Sequence, residues 1–268
     1  MNFDATQFKH LERTGYNKLG PRYLASSAPR QAVADALLAA AALAPGQRVL
    51  DLASGPGMLG RAAASVVSTN GLVIASDIAE AQLACCPELS RVAADGEALP
   101  FADASFERIL CGLGLMIFPD TGRALGEMRR VLRPDGLIAL SVWGRAEEVP
   151  LIECALACIR RLLPPPRVAR PSIFRFGDAD ELERRLASAD FSAISIRPVK
   201  FSTSFRDAET FWQAFLDLAG GAAESLSRLP PERQQALIDN ARQELAPFAV
   251  SSGYLLHNTV LVATARRI

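Results

Sequence analysis

The chain has 268 residues, with 29 Lys and Arg against 29 Asp and Glu, and is 50% apolar and 22% charged. That length supports one elaborated domain with a substantial core. The balanced, apolar-rich composition excludes a disordered chain and a protein that grips nucleic acid by net positive charge alone. No apolar stretch reaches the roughly 18 residues of a membrane-spanning helix, and the polar, mixed-charge opening MNFDATQFKHLERTGYNK does not read as a secretory signal. The five cysteines form no CxxC pair. Cys154 and Cys158 are four apart on one helix but have no further Cys or His at ligand spacing, so the five read as small buried hydrophobes in a reducing cytoplasm, and no metal site is expected.

In chain order, the first thirty residues carry Tyr16 and Tyr23 and end near Pro29. An Ala-rich helix follows, RQAVADALLAAAALAPG, closing at Pro45-Gly46. The pattern then alternates. RVLDLAS (48–54) is a short apolar strand, and GPGMLGRAAASVV is a glycine turn opening a helix. GLVIASD (71–77) is a strand and IAEAQLACC a short helix. LSRVAAD (89–95) and FERILCG (106–112) are strands. TGRALGEMRRVLRPDG is an amphipathic helix with a turn, and LIALSVWG (137–144) is a fifth strand. Apolar strands alternating with helices predict a parallel sheet covered on both faces. Beyond it, helices are expected over 147–163 and 177–190 and a strand over 191–202. Residues 207–246 read as helical with breaks at Gly220-Gly221 and Pro230-Pro231, and 258–267 as a last strand. The chain reads as a single domain: an N-terminal helical segment (1–45), a core (46–145), helices and a sixth strand (146–200), a helical cap (201–256) and the last strand (257–268).

The chemistry-bearing stretch is Val49-Leu50-Asp51-Leu52-Ala53-Ser54-Gly55-Pro56-Gly57. An acid near a strand end is followed by a glycine turn entering a helix. The glycines let backbone approach a ligand closely, and the helix N-terminus offers unpaired N–H groups. Asp77 closes the next strand, where a carboxylate can accept both hydroxyls of a ribose. Asp95 closes the third, where a carboxylate can accept from an adenine amine. The three strand ends together make a nucleoside-shaped pocket. Gly55, Gly57 and Gly60 also fit a GxGxxG nicotinamide fingerprint, with Asp77 as its ribose acid, so a dehydrogenase stays open on these residues alone.

Four segments together resemble the class I S-adenosylmethionine-dependent methyltransferases, in particular the group containing the ubiquinone/menaquinone C-methyltransferases and many small-molecule enzymes. They are VLDLASGPG, VIASDIA, AADGEALPFADASFERIL and EMRRVLRPDGLIALSVWG, and the likeness is strong over roughly residues 45–145. It implies a Rossmann-like, doubly wound α/β sheet of seven mostly parallel strands, the last antiparallel, with the helical cap inserted between the last two. It implies S-adenosyl-L-methionine as cofactor and S-adenosyl-L-homocysteine as product. Carried residue by residue, the resemblance assigns cofactor contacts to Asp51, Ala53, Ser54, Gly55 and Gly57, to Asp77 and Ile78, to Asp95, Gly96 and Glu97, to Cys111 and Gly112, and to Tyr23. Ala53 stands where the family has glycine and Asp135 where its turn has Pro-Gly-Gly. A methyl at Ala53 is tolerable where φ is negative, and it leaves less room beside the methionine moiety.

The implied activity is methylation of a small hydrophobic or aromatic metabolite at O, C or N, by in-line attack on the cofactor methyl group. A tRNA or protein methyltransferase and a non-catalytic binding module with the same fold are the competing readings, and the absence of a basic run speaks against RNA. A homodimer is a compatible assembly. Orientation and desolvation supply most of such a reaction, so no triad is required, and none is visible. His257 and Tyr16 are the candidates for an acid–base role. Leu113, Trp143, Phe211 and Phe215 are the candidate walls of an acceptor pocket, the last two on a helical lid over the sheet's carboxyl end.

Overall fold

The computed structural model describes residues 3–25 and 30–268; Pro29, at the end of the N-terminal segment, lies outside them. The chain runs α1 (Ala5–Ala25), α2 (Gln31–Ala41), β1 (Arg48–Leu52), α3 (Met58–Val67), β2 (Leu72–Asp77), α4 (Glu80–Leu83), β3 (Ser90–Ala93), β4 (Phe106–Gly112), α5 (Thr121–Val131), β5 (Leu132–Trp143), α6 (Pro150–Leu162), α7 (Ala179–Ala187), β6 (Phe191–Phe205), α8 (Ala208–Leu218), α9 (Gly220–Leu226), α10 (Pro231–Glu244), β7 (Ala249–Val250) and β8 (Gly253–Arg267).

One sheet takes the order β3-β2-β1-β4-β5-β8-β6, with β7 paired to β8. The first five strands are parallel, and β8 lies antiparallel to both β5 and β6. This is the Rossmann-like doubly wound sheet expected, with the two-residue β7 added to the seven anticipated strands. From β1 the chain winds outward through β2 and β3, then returns to β4 on the other side. The crevice at the carboxyl ends of β1 and β4 is therefore the switch point where ligands settle in such sheets.

Side chains alternate between faces with the strand period of two. Val49, Leu110, Leu137 and Ala139 pack with α2 and α3, while Leu50, Ile109, Ile138 and Leu140 join the larger core on the other face with α5, α6 and α7. Three strands, β5, β6 and β8, are longer than the sequence pattern suggests. β5 begins at Leu132, directly after α5, because the Arg133–Gly136 stretch is a bulge against β4 rather than a free turn. The pairing steps from Phe106↔Leu132 to Arg108↔Leu137, and Asp135 takes the left-handed turn at φ 60°. β8 begins at Gly253 because β6 continues to Phe205, and the pair keeps register out to Phe205↔Tyr254.

The N-terminal helix is held from behind by the cap. α1 crosses α9 so closely that a Cβ on Gly15 would stand 2.4 Å from the Gly220 carbonyl group and the Gly221 nitrogen. Gly15→Ala is expected to push α1 off its seat, at a cost of about 1–3 kcal/mol. The readout is a melting temperature lowered by several degrees with faster proteolysis inside α1. An unchanged melting temperature would show that the contact yields without cost.

Candidate active site

The glycine loop between β1 and α3 is built over a buried carboxylate. Asp51 is 0% exposed, and its Oδ2 accepts the Gly60 N–H at 2.7 Å. Its Oδ1 is buried with no hydrogen-bond partner among the described residues. Burial drives the Asp51 pKa up to about 7, against the Gly60 N–H, with the nearby Asp77 charge adding to the rise. Asp51 therefore supports the loop from below and does not line the cleft above it.

β1 ends two residues earlier than expected because Ala53 turns into the left-handed region, at φ 53°. The condition under which a methyl there is free of strain, a negative φ, is therefore not met. An L side chain there costs roughly 1–2 kcal/mol, and the methyl also leaves no room for a side chain at Gly114, whose Cβ would approach it to 2.8 Å. Ala53→Gly is expected to relieve the strain, offset partly by the greater chain entropy that glycine loses on folding. A net gain of about 1 kcal/mol, or about 2–4 °C in melting temperature, follows. A lower melting temperature in the variant would contradict this.

Asp77 at the end of β2 ties the loop to the second strand. Its Oδ2 accepts the Gly55 N–H at 2.8 Å and its Oδ1 the Ala79 N–H at 2.9 Å. Burial raises its pKa, partly countered by the Ala79 and Gly55 N–H groups. Each oxygen holds one backbone donor, and a carboxylate oxygen can take two. The group remains partly exposed to the cleft, so it keeps acceptor capacity toward a diol.

At the third strand end, Asp95 Oδ1 accepts the Glu97 N–H at 3.0 Å, and Oδ2 accepts Lys9 Nζ at 2.6 Å. Lys9 also reaches Glu97, whose other oxygen accepts the Asp120 N–H at 2.8 Å. Burial works against the Lys9 ammonium, but the two carboxylates outweigh it and hold its pKa above the ordinary value. Glu97 is buried and does not line the cleft. Gly96 must be a glycine, since a Cβ there would meet the Phe118 ring at 2.6 Å.

Gly55, Asp77 and Asp95 border a cleft of about 810 Å³, open to solvent, over the carboxyl ends of β1 to β4. Tyr23, Ala53, Gly55, Asp77, Ile78, Asp95, Gly96, Gly112 and Leu113 line it, and α1 covers it with Phe8, Lys9, Glu12 and Tyr16. A second space of about 550 Å³, also open to solvent, adjoins it between α2 and α3, sharing Tyr23, Ala53, Gly55, Gly112 and Leu113 and adding Ser54. Leu113, at the junction, is also left-handed (φ 55°), held by its N–H donating to the Ser141 carbonyl at 3.0 Å and to Ser141 Oγ at 3.1 Å. Two strained non-glycine residues, Ala53 and Leu113, thus face the point where the two spaces meet. Strain of this kind persists where surrounding structure over-determines it, and it clusters at functional sites.

Several expected residues lie elsewhere. Gly57 starts α3 at φ 80° and packs on Cys86, where a Cβ would come within 2.8 Å. The Cys111 side chain is buried behind the strand, and burial pushes its thiol up to about 12; it does not border the cleft. Trp143 is in the core, its ring 6.3 Å from Phe201. Phe211 and Phe215 are 0% and 3% exposed, packed on Phe205 and Trp212. None of the three lines either space, because the cap turns its apolar face into the main core and not over the strand ends. His257 is exposed on β8 and pairs with Ser202 Oγ at 2.8 Å through Nδ1, away from the cleft. Tyr16 does line the cleft, but its hydroxyl donates to the Leu218 carbonyl at 3.3 Å. Burial holds its pKa well above the ordinary value, so it stays protonated.

Sequence reasoning missed Lys9 and Glu12. Glu12 is buried, ion-paired with Arg170, and burial raises its pKa against that pairing. The signal was available: Lys9, Glu12, Tyr16 and Tyr23 are spaced by three, four and seven, one face of a helix. That face is polar because it looks onto the cleft.

Residues 50–140 match the family model of a methyltransferase domain. The ubiquinone/menaquinone biosynthesis C-methyltransferase of Bordetella avium is 37% identical over 109 residues, 38% of this chain and 43% of that protein. The chain spans about two fifths to one half of the length of the curated relatives it matches. In fold it is similar to a putative methyltransferase of Bacillus halodurans (TM-score 0.60, 19% identity, 87% of this chain and 98% of that one). It is also similar to the Haemonchus contortus phosphoethanolamine N-methyltransferase 2, solved with phosphomonomethylethanolamine and S-adenosylhomocysteine (TM-score 0.54, 17% identity, 88% and 52%). Residues 50–140 are thus a methyltransferase domain, set in a chain whose fold is that of solved methyltransferases.

Proposed function

We propose that the cleft binds S-adenosyl-L-methionine and that the protein methylates a small, hydrophobic or aromatic metabolite at O, C or N. The observation that carries this reading is the line of Gly55, Asp77 and Asp95 along three adjacent strand ends, bordering one cleft. The donor set fits the cofactor: a carboxylate with spare acceptor capacity for a ribose diol, a second acid at the base end, and glycine backbone where a chain must lie close. When bound, the cofactor supplies a sulfonium methyl group that is already strongly electrophilic.

What remains for the chain is binding, orientation and exclusion of water. α1 excludes water with Phe8 and Tyr16. Gly55 and Gly112 leave backbone, not side chains, at the junction. Leu113 and Ala53 fix its width. Neither acid–base candidate is poised as a general base: Tyr16 is held protonated and His257 faces away. The acceptor is thus expected to bring its own nucleophile in a reactive state. Calorimetric titration with S-adenosylmethionine, S-adenosylhomocysteine and NAD tests the reading. Micromolar binding of the sulfur nucleosides without NAD supports it; folded protein that binds neither sulfur nucleoside overturns it.

A further inference from the structure

The end of the cleft beyond β3 is reached from the α1 roof as well as from the sheet. Lys9 of α1 lines it, and its Nζ donates to Asp95 Oδ2 at 2.6 Å and to Glu97 Oε2. An ammonium carries three N–H donors. Two are spent on these carboxylates, and the third meets no partner among the described residues. The two carboxylates differ in access. The Glu97 side chain is 6% exposed, against 34% for Asp95 and 22% for Lys9. Glu97 is therefore an anchor that fixes the ammonium, while Asp95 and Lys9 face the space where a ligand lies.

Asp95 has acceptor capacity left. Its Oδ1 takes the Glu97 N–H and its Oδ2 the Lys9 ammonium, and a carboxylate offers about four acceptor positions. An incoming amine can therefore join Lys9 on Asp95 without displacing it. The two side chains present an acceptor and a donor side by side, locked together by their own ion pair. A lysine head is ordinarily a mobile point charge on a flexible stem. Here two carboxylates hold it, so much of the cost of ordering that stem is met before any ligand arrives. The same carboxylates keep the ammonium charged against its partial burial.

We propose that Lys9 is a specificity-determining residue for the base, its third N–H donating to a ring nitrogen beside the amine that Asp95 accepts. This rests on the reading of the cleft as the site of S-adenosylmethionine. The exocyclic amine of adenine is flanked by two ring acceptors, N1 and N7, so a donor set next to an acceptor matches either edge of that amine. A carboxylate by itself reads the amine and leaves the ring free to pivot about one hydrogen bond. A second contact from Lys9 fixes the ring in its plane and makes the neighbouring nitrogen part of what is recognised. Glu97 then acts through Lys9 as a positioning residue, although it does not line the cleft.

The test is calorimetric titration of the whole protein with S-adenosylhomocysteine and with its 1-deaza and 7-deaza analogues, in each of which a C–H replaces one ring nitrogen. One of the two analogues is expected to bind wild type about tenfold more weakly than S-adenosylhomocysteine. Lys9→Met is expected to weaken S-adenosylhomocysteine by a similar factor and to bind that analogue within about twofold of wild type, since the contact is already missing. Lys9→Arg keeps part of the discrimination. A lysine that only seats α1 would lower all three affinities alike, and that result overturns the proposal. So does discrimination that survives intact in Lys9→Met, because another donor then reads the nitrogen. Tighter binding of S-adenosylhomocysteine by Lys9→Met also overturns it, because Lys9 then competes with the base for Asp95. Wild-type protein that binds S-adenosylhomocysteine and both analogues equally overturns it without any variant and leaves the cofactor reading standing. Folded wild type that binds none of the three overturns the cofactor reading itself.

Discussion

Replacing Asp77 with alanine is expected to lower affinity for S-adenosylhomocysteine about 10- to 100-fold, the equivalent of losing about 1–3 kcal/mol of hydrogen bonding to a charged acceptor. Two losses combine. On the proposed reading a ribose diol loses its acceptor, and Gly55 and Ala79 lose the carboxylate that fixes their N–H groups. The glycine loop then has no tie to β2 beyond the Ser54 N–H donated to the Ser76 carbonyl at 3.1 Å. Asp77→Asn keeps the shape but can accept at one oxygen only, so its affinity should fall between the two. The ordering wild type, Asn, Ala separates ligand contact from loop support: a purely structural role would lower the melting temperature in step with affinity. Calorimetry and thermal unfolding on the three proteins decide it, and wild-type affinity in Asp77→Ala would remove the ribose assignment.

The parts of the fold that were legible from sequence are those where a local pattern and the tertiary outcome agree. β4 lies at Phe106–Gly112, the run its apolar pattern marks, because both faces of that central strand are buried. α8 stops before Gly220 and α10 starts at Pro231, the two breaks that glycine and proline signal. The meeting of Asp77 and Asp95 at one cleft was legible because a parallel sheet brings the segments that leave its strands to one carboxyl edge.

What was not legible depends on which face a helix turns and toward what. Phe211 and Phe215 recur at helical spacing, and that spacing is the same for a core face and a lid face. Only the packing against Phe205 and Trp212 decides for the core. Lys9 and Arg30 were missed for the opposite reason: single cations near an N-terminus look like solvated surface until the fold lays them on Asp95 and Tyr23. The sign of φ at Ala53 could not be read either, since alanine rarely adopts the left-handed region and nothing local announces it.

Protein stability is expected to fall as pH rises from about 4 through 7, because of Asp51. Its pKa in the fold is about 7 against an ordinary 3.8, raised chiefly by burial. A raised value means that the native state favours the protonated form. The contribution is thus fully present below pH 3.8, is lost progressively up to about 7, and stays lost above it. At about 1.4 kcal/mol per pH unit, the difference is on the order of 4 kcal/mol. Asp51→Asn replaces the carboxyl by a neutral isostere that can still accept the Gly60 N–H. It should match wild type at or below about pH 4 and exceed it at pH 8, by a margin on the order of 10 °C in melting temperature. Parallel melting curves for the two proteins from pH 5 to 8.5 would exclude this role for Asp51. The same group gives the binding reaction a pH signature. A cationic ligand above the loop favours the ionised carboxylate, so binding of S-adenosylmethionine should release protons between about pH 6 and 8. Titration in buffers of different ionisation enthalpy measures that release, and Asp51→Asn should abolish it while leaving the nucleoside contacts of Asp77 in place.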